Sequence, residues 1–421
     1  MQDQDRGRSK FGNSPKKSWG RGGSGGSGRP SSGGSSFGGS RRRFSSPSRG
    51  QRPGSDIEIS RYIKKAVVKT ETEEYTPVHK FIDFNINDKL KANIIAKQYI
   101  TPTPIQDRTI PSILEGRDLL GIANTGTGKT AAFLIPLIEK VFKSKNEKVL
   151  IMAPTRELAL QIDEEFRAFS KHMSMDSVAC IGGANIRSQM FSLSKRRPNF
   201  IIGTPGRLKD LVERRCINPA KFTNIVLDEV DRMLDMGFIN DIKELLAMIP
   251  EPRQSLFFSA TISKEVDNLI KGFLKDPVKV SVKLGDTAEN VDQDIIKVKD
   301  RSHKIESLHD LLINEDFKKV LIFGRTKRGV EDLSVTLSQR GFKVGAIHGD
   351  KTQAKREQVL RLFKTNKIQT LVATDVAARG LDIADITHVI NYDLPATYED
   401  YVHRIGRTGR ANKAGKALTF V

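Results

Sequence analysis

The sequence has little cysteine and no long apolar segment. Among its 421 residues there are two cysteines, Cys180 and Cys216, and they fall in no CxxC or Cys–His spacing. This excludes a disulfide framework and a zinc-binding motif. No apolar run approaches the roughly 20 residues that cross a bilayer, and the N-terminus lacks the apolar stretch of a secretory signal. These absences predict a soluble, cytoplasmic protein with reduced thiols and no membrane partner.

Acidic residues are outnumbered by basic ones, most strongly at the N-terminus. The chain has 70 Lys+Arg against 50 Asp+Glu, a net charge of +20, and residues 1–54 hold twelve Lys/Arg and two Asp, so they carry +10. This segment is rich in Gly, Ser, Arg and Pro and has too few apolar residues to offset the entropy of folding, which predicts a disordered basic tail. We expect it either to contact RNA, with four aromatic side chains available to stack on bases, or to act as a solubilising leader.

From about residue 80 the sequence alternates between short apolar runs and amphipathic segments of helical length. This alternation is typical of βαβ units on a parallel sheet. A polar stretch at 283–292 interrupts it, and a second series follows. The sequence therefore predicts an α/β protein with two tandem doubly wound parallel-sheet domains joined by a short linker. The predicted strands are Asp118–Ile122, Val149–Ala153, Phe200–Gly203, Ile225–Leu227, Leu256–Ser259, Val320–Phe323, Val344–His348, Thr370–Thr374, His388–Asn391 and Leu418–Val421.

A phosphate-binding loop is predicted where the first apolar run meets a helix. Its glycines would let backbone N–H groups turn toward phosphate oxygens, Lys129 would reach the β- and γ-phosphates, and the Thr130 hydroxyl would ligate Mg²⁺. A Gly/Thr-rich turn before a helix is the alternative interpretation, but the spacing favours a nucleotide site. The loop reads Ala123-Asn124-Thr125-Gly126-Thr127-Gly128-Lys129-Thr130.

An acidic cluster follows another apolar run about 100 residues later. It reads Asp228-Glu229-Val230-Asp231. Asp228 could hold Mg²⁺ through water, and Glu229 could orient or deprotonate the attacking water. Paired acids after a strand could instead be a solvated helix cap. The preceding phosphate loop favours the catalytic interpretation.

With these two motifs, residues 81–421 resemble the DEAD-box family of ATP-dependent RNA helicases, whose two domains are RecA-like. The resemblance implies an adenine-recognition element in which Phe84 packs near the ring and Gln106 hydrogen-bonds its edge, with Thr101 in the same element. It also implies that RNA-backbone contacts are made by the first domain. These contacts are Pro154, Thr155, Arg156, Gly183, Thr204, Pro205, Gly206 and Arg207.

The second half contains the motifs of the family's second domain in the same order. The basic run from His403 to Arg410 is the most diagnostic, although a run of this kind can also be a solvated helix face. By resemblance, Arg407 and Arg410 would enter the ATP site as arginine fingers, and Asp382 would approach the ribose. The implied RNA contacts here are Arg325, Thr326, Gly349, Gln353, Arg356 and Thr374, and the residues that would couple hydrolysis to strand separation are Ser259, Thr261, Asp231 and His403.

The motifs also place the predicted boundaries. A tail at 1–54 is followed by a connecting segment at 55–80, the adenine-recognition segment at 81–109, an ATP-binding domain at 110–282, a linker at 283–292 and a C-terminal domain at 293–421. Val230 stands where the family name has alanine, and Asn124 and Thr127 stand where many relatives have Gln and Ser; all three changes are mild. A final helix usual in the family is not seen before Val421, so we expect a truncated second domain.

The function implied is ATP-dependent closure of two domains on RNA, with hydrolysis of ATP to ADP and phosphate in the presence of Mg²⁺. Closure would locally unwind short duplexes or remodel RNA–protein complexes, with little sequence preference. Bacterial members are the nearer resemblance, and ribosome-assembly or RNA-decay partners fit this class; the sequence favours no oligomeric state. Two alternatives stay open. A DNA-directed helicase is disfavoured by Phe84, Gln106 and Asp231, and a scaffold without chemistry is disfavoured by the intact Lys129 and Glu229.

Overall fold

The computed structural model describes residues 62–64, 75–124, 126–282, 291–378, 383, 385–409 and 415–421. All of them belong to one compact unit that contains two parallel sheets. The predicted tail at 1–54 lies outside the described residues, as do Thr125, Asp382 and Arg410 of the predicted ATP site. No helix in the described part of the chain is long and apolar enough to cross a membrane.

The first domain is a seven-stranded sheet in the order β3-β4-β2-β5-β6-β1-β7, with every neighbouring pair parallel. Its strands are β1 (Leu119–Ala123), β2 (Val149–Met152), β3 (Ser177–Cys180), β4 (Phe200–Gly203), β5 (Asn224–Leu227), β6 (Gln254–Ser259) and β7 (Val278–Val282). Its helices are α1 (Asp88–Ala96), α2 (Pro104–Leu114), α3 (Lys129–Lys143), α4 (Arg156–Phe169), α5 (Ile186–Arg196), α6 (Pro205–Glu213), α7 (Val230–Asp235), α8 (Ile239–Ala247) and α9 (Lys264–Phe273), with a 3-10 turn at Pro219–Lys221.

The second domain is a six-stranded parallel sheet in the order β10-β11-β9-β12-β13-β8. Its strands are β8 (Val291–Ile296), β9 (Val320–Phe323), β10 (Val344–Ile347), β11 (Thr370–Ala373), β12 (His388–Asn391) and β13 (Gly415–Phe420). Its helices are α10 (Arg301–Ile313), α11 (Lys327–Gln339), α12 (Gln353–Lys364), α13 (Asp375–Ala378) and α14 (Tyr398–Ile405).

Each sheet is buried on both faces, which is why its central strands read as short continuous apolar runs. In the first domain one face packs under α1 to α4, where Phe133, Ile151 and Phe258 are fully buried, and the other packs under α6 to α9, where Leu227 and Phe257 are fully buried. Because the strands of each sheet are parallel, their carboxyl ends lie together at one edge of that sheet. Loops that follow the carboxyl ends of the strands carry most of the predicted site residues.

Polar caps mark where the helices that leave this edge begin. The Thr155 hydroxyl accepts from the Leu158 N–H at the start of α4, and Thr326 and Thr352 cap α11 and α12 in the same way. Such a cap satisfies a backbone donor that would otherwise lack a partner, and typically contributes about 1 kcal/mol. The threonines of three predicted RNA-contact motifs therefore have a structural role as well.

The two doubly wound domains are confirmed, with three strands that the sequence interpretation did not predict. These are β3, the edge strand β7, and β8. Strand β8 begins at Val291, inside the predicted linker at 283–292, and the rest of that linker lies outside the described residues. β3, β7 and β8 all lie at the edge of a sheet. β7 alternates apolar and polar residues, and β8 has three consecutive polar residues after Val291, so neither gives as strong a signal as the apolar runs of central strands.

Residues from the predicted connecting segment at 55–80 contact both domains. Lys64 forms an antiparallel bridge with Gln293 of β8, and the Tyr62 ring, 2% exposed, packs edge-on against Tyr401 at a centroid distance of 4.7 Å. On the first domain, the Asp107 carboxylate of α2 accepts hydrogen bonds from the Tyr75 hydroxyl and from the backbone and ring of His79. This segment is therefore attached at two places.

Candidate nucleotide and nucleic-acid site

The predicted phosphate loop joins β1 to α3. Gly126 and Gly128 have φ values of +86° and +92°, a region that glycine adopts without strain. A Cβ on Gly128 would also lie 2.3 Å from Gln106 Nε2, so no side chain fits there. The backbone consequently turns sharply into the first turn of α3, where Lys129 and Thr130 are placed. This is the arrangement that lets a helix N-terminus face phosphate groups.

Lys129 lies at the first position of α3 and is 6% exposed. Its Nζ donates to the backbone carbonyl of Ala123 at 3.0 Å, which holds the ammonium inside the turn of the loop. The Thr127 hydroxyl donates to the Asn124 carbonyl at 2.8 Å and closes the loop further. The structure thus brings the described loop residues together around the start of α3.

The adenine-recognition segment is connected to the phosphate loop. Gln106 Nε2 donates to the Gly128 carbonyl at 3.1 Å, Gln106 Oε1 accepts from the Thr103 N–H at 2.9 Å, and the Thr103 hydroxyl donates to the Thr127 carbonyl at 2.8 Å. Gln106 is 1% exposed, and both its amide oxygen and its amide nitrogen have a partner within the protein. A change at Gln106 is therefore transmitted directly to the loop that would hold phosphate.

Phe84 and Thr101 occupy different environments in this segment. Phe84 is 4% exposed and packs in the core of the first domain, with Phe81 at a centroid distance of 6.0 Å, whereas Thr101 is exposed. His79 lies against the same Phe84 ring at 5.5 Å. The adenine contact assigned to Phe84 stays a prediction, because in this structure the ring is covered by protein.

The acidic cluster follows β5, which lies between β2 and β6 and is separated from β1 by β6 alone. Asp228 and Glu229 are 2% and 4% exposed, and Glu229 adopts a left-handed backbone conformation with φ of +52°. Such strain in a residue other than glycine concentrates at functional sites. Burial raises the pKa of Asp228 to about 6, despite the opposing charge of the Lys129 ammonium. For Glu229 burial acts in the same direction, but the positive charges of Arg232, Lys129 and Arg407 outweigh it and lower the pKa.

Arg232 contacts both domains, and sequence reasoning did not single it out. Its Nη1 donates to Glu229 Oε2 at 3.2 Å, and its Nη2 donates to His403 Nδ1 of α14 at 3.1 Å. Burial, followed by the charges of Arg232 and Arg407, lowers the pKa of His403 to about 4. A neutral ring that accepts from Arg232 agrees with this direction. The signal available in the sequence was a basic residue one helical turn after Glu229.

Asp231 links the acidic cluster to the end of β6. Its Oδ2 accepts from the N–H groups of Ala260 and Thr261 at 3.0 and 2.8 Å, and from the Thr261 hydroxyl at 3.0 Å. The Asp231 N–H in turn donates to the Ser259 hydroxyl at 3.3 Å. The structure therefore brings together three of the four residues assigned to coupling, and the fourth, His403, joins them through Arg232.

The second domain contributes positive charge to the same place. Arg407 follows α14, is 4% exposed, and is one of the groups that lower the pKa of Glu229. Its neighbour Arg404 is fixed by two hydrogen bonds to Asp375 and one to the Asp393 carbonyl. These contacts hold the end of α14 rigidly against β12 and α13. Arg410 and Asp382 lie outside the described residues, so their predicted contacts stay predictions.

A cavity of about 440 Å³ lies between the two domains and is lined by most of the predicted RNA-contact motifs. Its lining residues are Pro154, Thr155, Arg156, Glu157, Gly182, Thr204, Gly206, Arg207, Met236, Phe238, Gly349, Arg356 and Val376. Met236, Phe238 and Val376 were not predicted. They give the wall an apolar portion beside the arginine side chains.

Arg356 and Glu157 form an ion pair across this cavity. Arg356 Nη2 of α12 lies 2.8 Å from Glu157 Oε1 of α4, and both side chains are under 8% exposed. An ion pair so well shielded from water is costly to break by removal of one partner. Glu157 directly follows the predicted RNA contacts Pro154, Thr155 and Arg156, but its contact with the second domain was not predicted.

The remaining predicted RNA contacts of the second domain lie outside this lining. Thr326 caps α11, Gln353 Nε2 donates to Glu357 at 3.1 Å, and Arg325 Nη2 donates to the Leu394 carbonyl at 3.4 Å. Thr374 is 8% exposed at the end of β11. In the first domain, Gly183 and Pro205 each adjoin a lining residue. The RNA-contact role of all these residues stays a prediction.

Taken together, a phosphate loop, an acidic pair and an arginine from a second parallel-sheet domain define a nucleotide-hydrolysing core of the helicase class. Residues 103–269 match the family model described as DEAD/DEAH box helicase, and residues 303–412 match the helicase conserved C-terminal domain. The chain is 47% identical over 344 residues to the ATP-dependent RNA helicase CshA of Listeria monocytogenes, covering 81% of this chain and 66% of that protein. It is 46% identical over 343 residues to the DEAD-box ATP-dependent RNA helicase CshA of Bacillus subtilis, covering 81% and 69%.

Solved structures agree with these relatives. Mss116p bound to single-stranded RNA and AMP-PNP superimposes with a TM-score of 0.72 at 31% identity, covering 80% of this chain and 72% of that chain. Dbp5 of Saccharomyces cerevisiae bound to RNA and ADP BeF3 gives 0.71 at 29% identity, covering 80% and 88%. The chain belongs to the DEAD-box family of ATP-dependent RNA helicases. It spans about two thirds of the length of the two curated relatives.

Proposed function

We propose that this chain is an RNA-dependent ATPase in which closure of the two domains builds the ATP site and the RNA site at the same time. The observation that supports this best is the position of Arg232, which donates to Glu229 of the first domain and to His403 of the second. The two halves of the nucleotide site are complete only when this contact exists. ATP and RNA should therefore bind cooperatively, since each favours the closed arrangement.

In the proposed mechanism Glu229 acts on the attacking water. Its low pKa keeps the carboxylate ionised, so it can orient the water and accept its proton. Lys129, released from the Ala123 carbonyl, would contact the phosphates, and Arg407 would stabilise the charge that develops on the γ-phosphoryl group. Arg410 and Asp382 are assigned to the same site by resemblance to the family.

The donor set fits Mg²⁺. A buried carboxylate at Asp228 and a hydroxyl at Thr130 offer oxygen ligands beside the phosphate loop, and Mg²⁺ prefers few protein oxygens together with phosphates and water. Burial without a cation disfavours the charged form of Asp228, which is the direction of its raised pKa. When bound, the ion would neutralise phosphate charge. Asp228 and Thr130 would hold and orient it.

RNA is the polymer that we propose for the cavity between the domains. Arg156, Arg207 and Arg356 supply charge for phosphates, and Gly182, Gly206 and Gly349 leave backbone groups accessible. Such a lining reads the sugar–phosphate backbone rather than the base sequence. If the cavity accepts only one strand, closure on RNA would locally unwind short duplexes or remodel RNA–protein complexes. A cytoplasmic location and partners in ribosome assembly or RNA decay belong to the same proposal.

Steady-state ATP hydrolysis with and without single-stranded RNA tests this function, with the Lys129→Ala variant as the blank. We expect strong stimulation by RNA in the native protein, weakened ATP binding in the variant, and no turnover above background. Equal hydrolysis with and without RNA would contradict the proposal. Stimulation by single-stranded DNA of the same sequence and length would instead support a DNA-directed helicase.

A further inference from the structure

Helix α5 presents an aromatic side chain to solvent between two cations. Phe191 is 65% exposed and is the only aromatic among the strongly exposed apolar side chains of the described residues. Lys195 Nζ lies 5.6 Å from the centre of its ring, and Arg187 is placed one turn earlier. Residues at i, i+4 and i+8 share one face of a helix. Arg187, Phe191 and Lys195 therefore form one stripe, which we call the α5 stripe.

The stripe is not used for packing within the described part of the chain. The opposite face of α5 is buried through Gln189 and Leu193, which attach the helix to the first domain. Burying a phenylalanine ring is more favourable than leaving it in water. An exposed ring on an otherwise anchored helix is thus available to a partner.

The charge of α5 restricts the chemistry of that partner. The helix contains no acidic residue and its last turn contains Lys195 and Arg196, with Arg197 as the C-cap. Among the described residues, neither Arg187 nor Lys195 forms a salt bridge with a carboxylate. Unneutralised cations on both sides of an aromatic ring match the phosphates and bases of a nucleic acid better than an apolar protein surface.

The helix that carries the stripe is attached to the wall of the cavity between the domains. Arg207, which lines that cavity, donates from Nη1 to Gln189 Oε1 at 2.9 Å. Gln189 lies on the buried face of α5, opposite the stripe, so this contact fixes the helix and leaves the stripe exposed. Gly182 lines the cavity, and the predicted RNA contact at Gly183 lies three residues before α5 begins. A strand that leaves the cavity beside these glycines therefore reaches the first turn of α5, where the stripe begins with Arg187.

We propose that the α5 stripe is an accessory binding site for single-stranded RNA outside the interdomain cavity, with a base stacked on Phe191 and neighbouring phosphates held by Arg187 and Lys195. The site rests on the proposed RNA-dependent function and extends the same track. It binds strands too long to be contained in the cavity. It takes no part in ATP hydrolysis.

Affinity measured as a function of RNA length tests the site. Single-stranded RNAs are lengthened one nucleotide at a time from each end, and their binding to the full chain is measured with AMP-PNP present. For the native protein we expect affinity to rise and level off. For Phe191→Ala we expect the curve to level off earlier, with long RNA bound about tenfold more weakly, or about 1.4 kcal/mol. Short RNAs that fill only the cavity should bind equally to both.

Matched variants identify which property of the α5 stripe is needed to bind RNA. Phe191→Trp should preserve the length dependence, since it retains a stacking face, whereas Phe191→Leu should lose it although it stays apolar. Lys195→Gln should reduce the slope of log affinity against log salt by about 0.7, the value for one phosphate contact with a single strand. Val335→Ala removes an exposed apolar side chain of the second domain and should change nothing.

The outcomes separate this site from the proposed function. An identical length dependence in the native protein and Phe191→Ala would overturn the accessory site while leaving RNA-stimulated hydrolysis intact. Full retention by Phe191→Leu would also overturn it, because an apolar contact rather than base stacking would then be responsible. Failure of the native protein to respond to any RNA would overturn the proposed function instead.

Discussion

Two polar contacts between the domains, both made by residues that the structure describes, differ in kind. On the nucleotide side Arg232 joins Glu229 to a neutral His403, within a cluster that also contains Lys129, Asp228 and Arg407. On the RNA side the ion pair of Arg356 with Glu157 crosses the cavity. The first contact contains groups with strongly shifted pKa values, whereas the second is a pair of oppositely charged side chains. We therefore expect closure to depend on pH through the contact on the nucleotide side, and on salt and RNA through the contact on the RNA side.

Neither contact is a stable apolar interface. Buried charges gain from pairing but lose their hydration, so the net stabilisation of such a contact is small. A closed form held by charges of this kind needs its ligands to supply further free energy. The polar character of both contacts thus explains how ATP and RNA could control opening and closing, which a hydrophobic seam between the domains would resist.

The largest effect is expected from Glu229→Gln on the nucleotide side. Loss of the general base should lower the RNA-stimulated turnover number by about 10² to 10⁴. The amide keeps the shape of the side chain, so ATP should still bind and RNA should stay held in the closed form. Single-turnover hydrolysis together with RNA release measures this. Turnover within tenfold of the native protein would remove Glu229 from the catalytic role.

A double-mutant cycle at Arg356 and Glu157 examines the RNA side. Either Arg356→Met or Glu157→Gln should weaken the cooperativity between RNA and ATP by about 2 kcal/mol, roughly thirtyfold, since each removes a charged partner from a buried pair. The double variant should lose less than the sum of the two single effects. ATP affinity at saturating RNA, compared with that in its absence, gives each value. Strict additivity would show that the two side chains act separately.

The pH dependence of closure should come from the nucleotide side. Burial, followed by the charge of Arg232 in the closed form, holds the pKa of His403 near 4, against an ordinary value of 6.5. The closed form therefore binds fewer protons, so its stability is full above pH 6.5 and is lost as the pH falls toward 4. We expect RNA–ATP cooperativity to weaken about tenfold at pH 5.5. His403→Asn, whose oxygen can still accept from Arg232, should flatten this profile; an unchanged profile would assign the titration elsewhere.

The smallest effect is expected from deletion of residues 1–54, which concerns neither contact. Removal of a segment with a charge of +10 should lower RNA affinity several-fold and flatten its salt dependence. The rate of hydrolysis at saturating RNA should stay nearly the same, because closure uses residues of the two domains. Binding isotherms at several salt concentrations measure the slope. An unchanged slope would favour the solubilising role of this segment.

Much of the fold could be predicted because the central strands are buried on both faces. Runs such as Val320–Phe323 and Phe200–Gly203 coincide with strands in the structure. The edge strands β7 and β8 are partly exposed and contain polar residues, so they carry less signal, although the edge strand β10 was predicted. The bridge from Lys64 to Gln293 could not be predicted, since a single pairing between distant residues leaves no local pattern.

The residues of the candidate site also divide into those that the sequence predicted and those that it did not. Motifs read from the phosphate loop and the acidic cluster lie together, because they follow β1 and β5 of one parallel sheet, with only β6 between these strands. Arg407 of the second domain was predicted by resemblance, but two other contacts between the domains were missed. Arg232 and Glu157 became visible as cross-domain contacts only through the relative position of the two sheets. Gln106 was predicted to hydrogen-bond the edge of adenine, whereas in this structure its amide is hydrogen-bonded to Gly128 and Thr103.

The attachment of the N-terminal residues to both domains limits how far the cleft can open. Tyr62 and Lys64 are fixed to the second domain and Tyr75 to the first. Residues 64 and 75 are joined by eleven peptide units, and a fully extended chain of this length reaches about 40 Å. While both attachments hold, this segment acts as a second covalent tether beside residues 283–290. Two tethers in parallel raise the effective concentration of one domain near the other, so the two domains stay close to each other when the cleft opens.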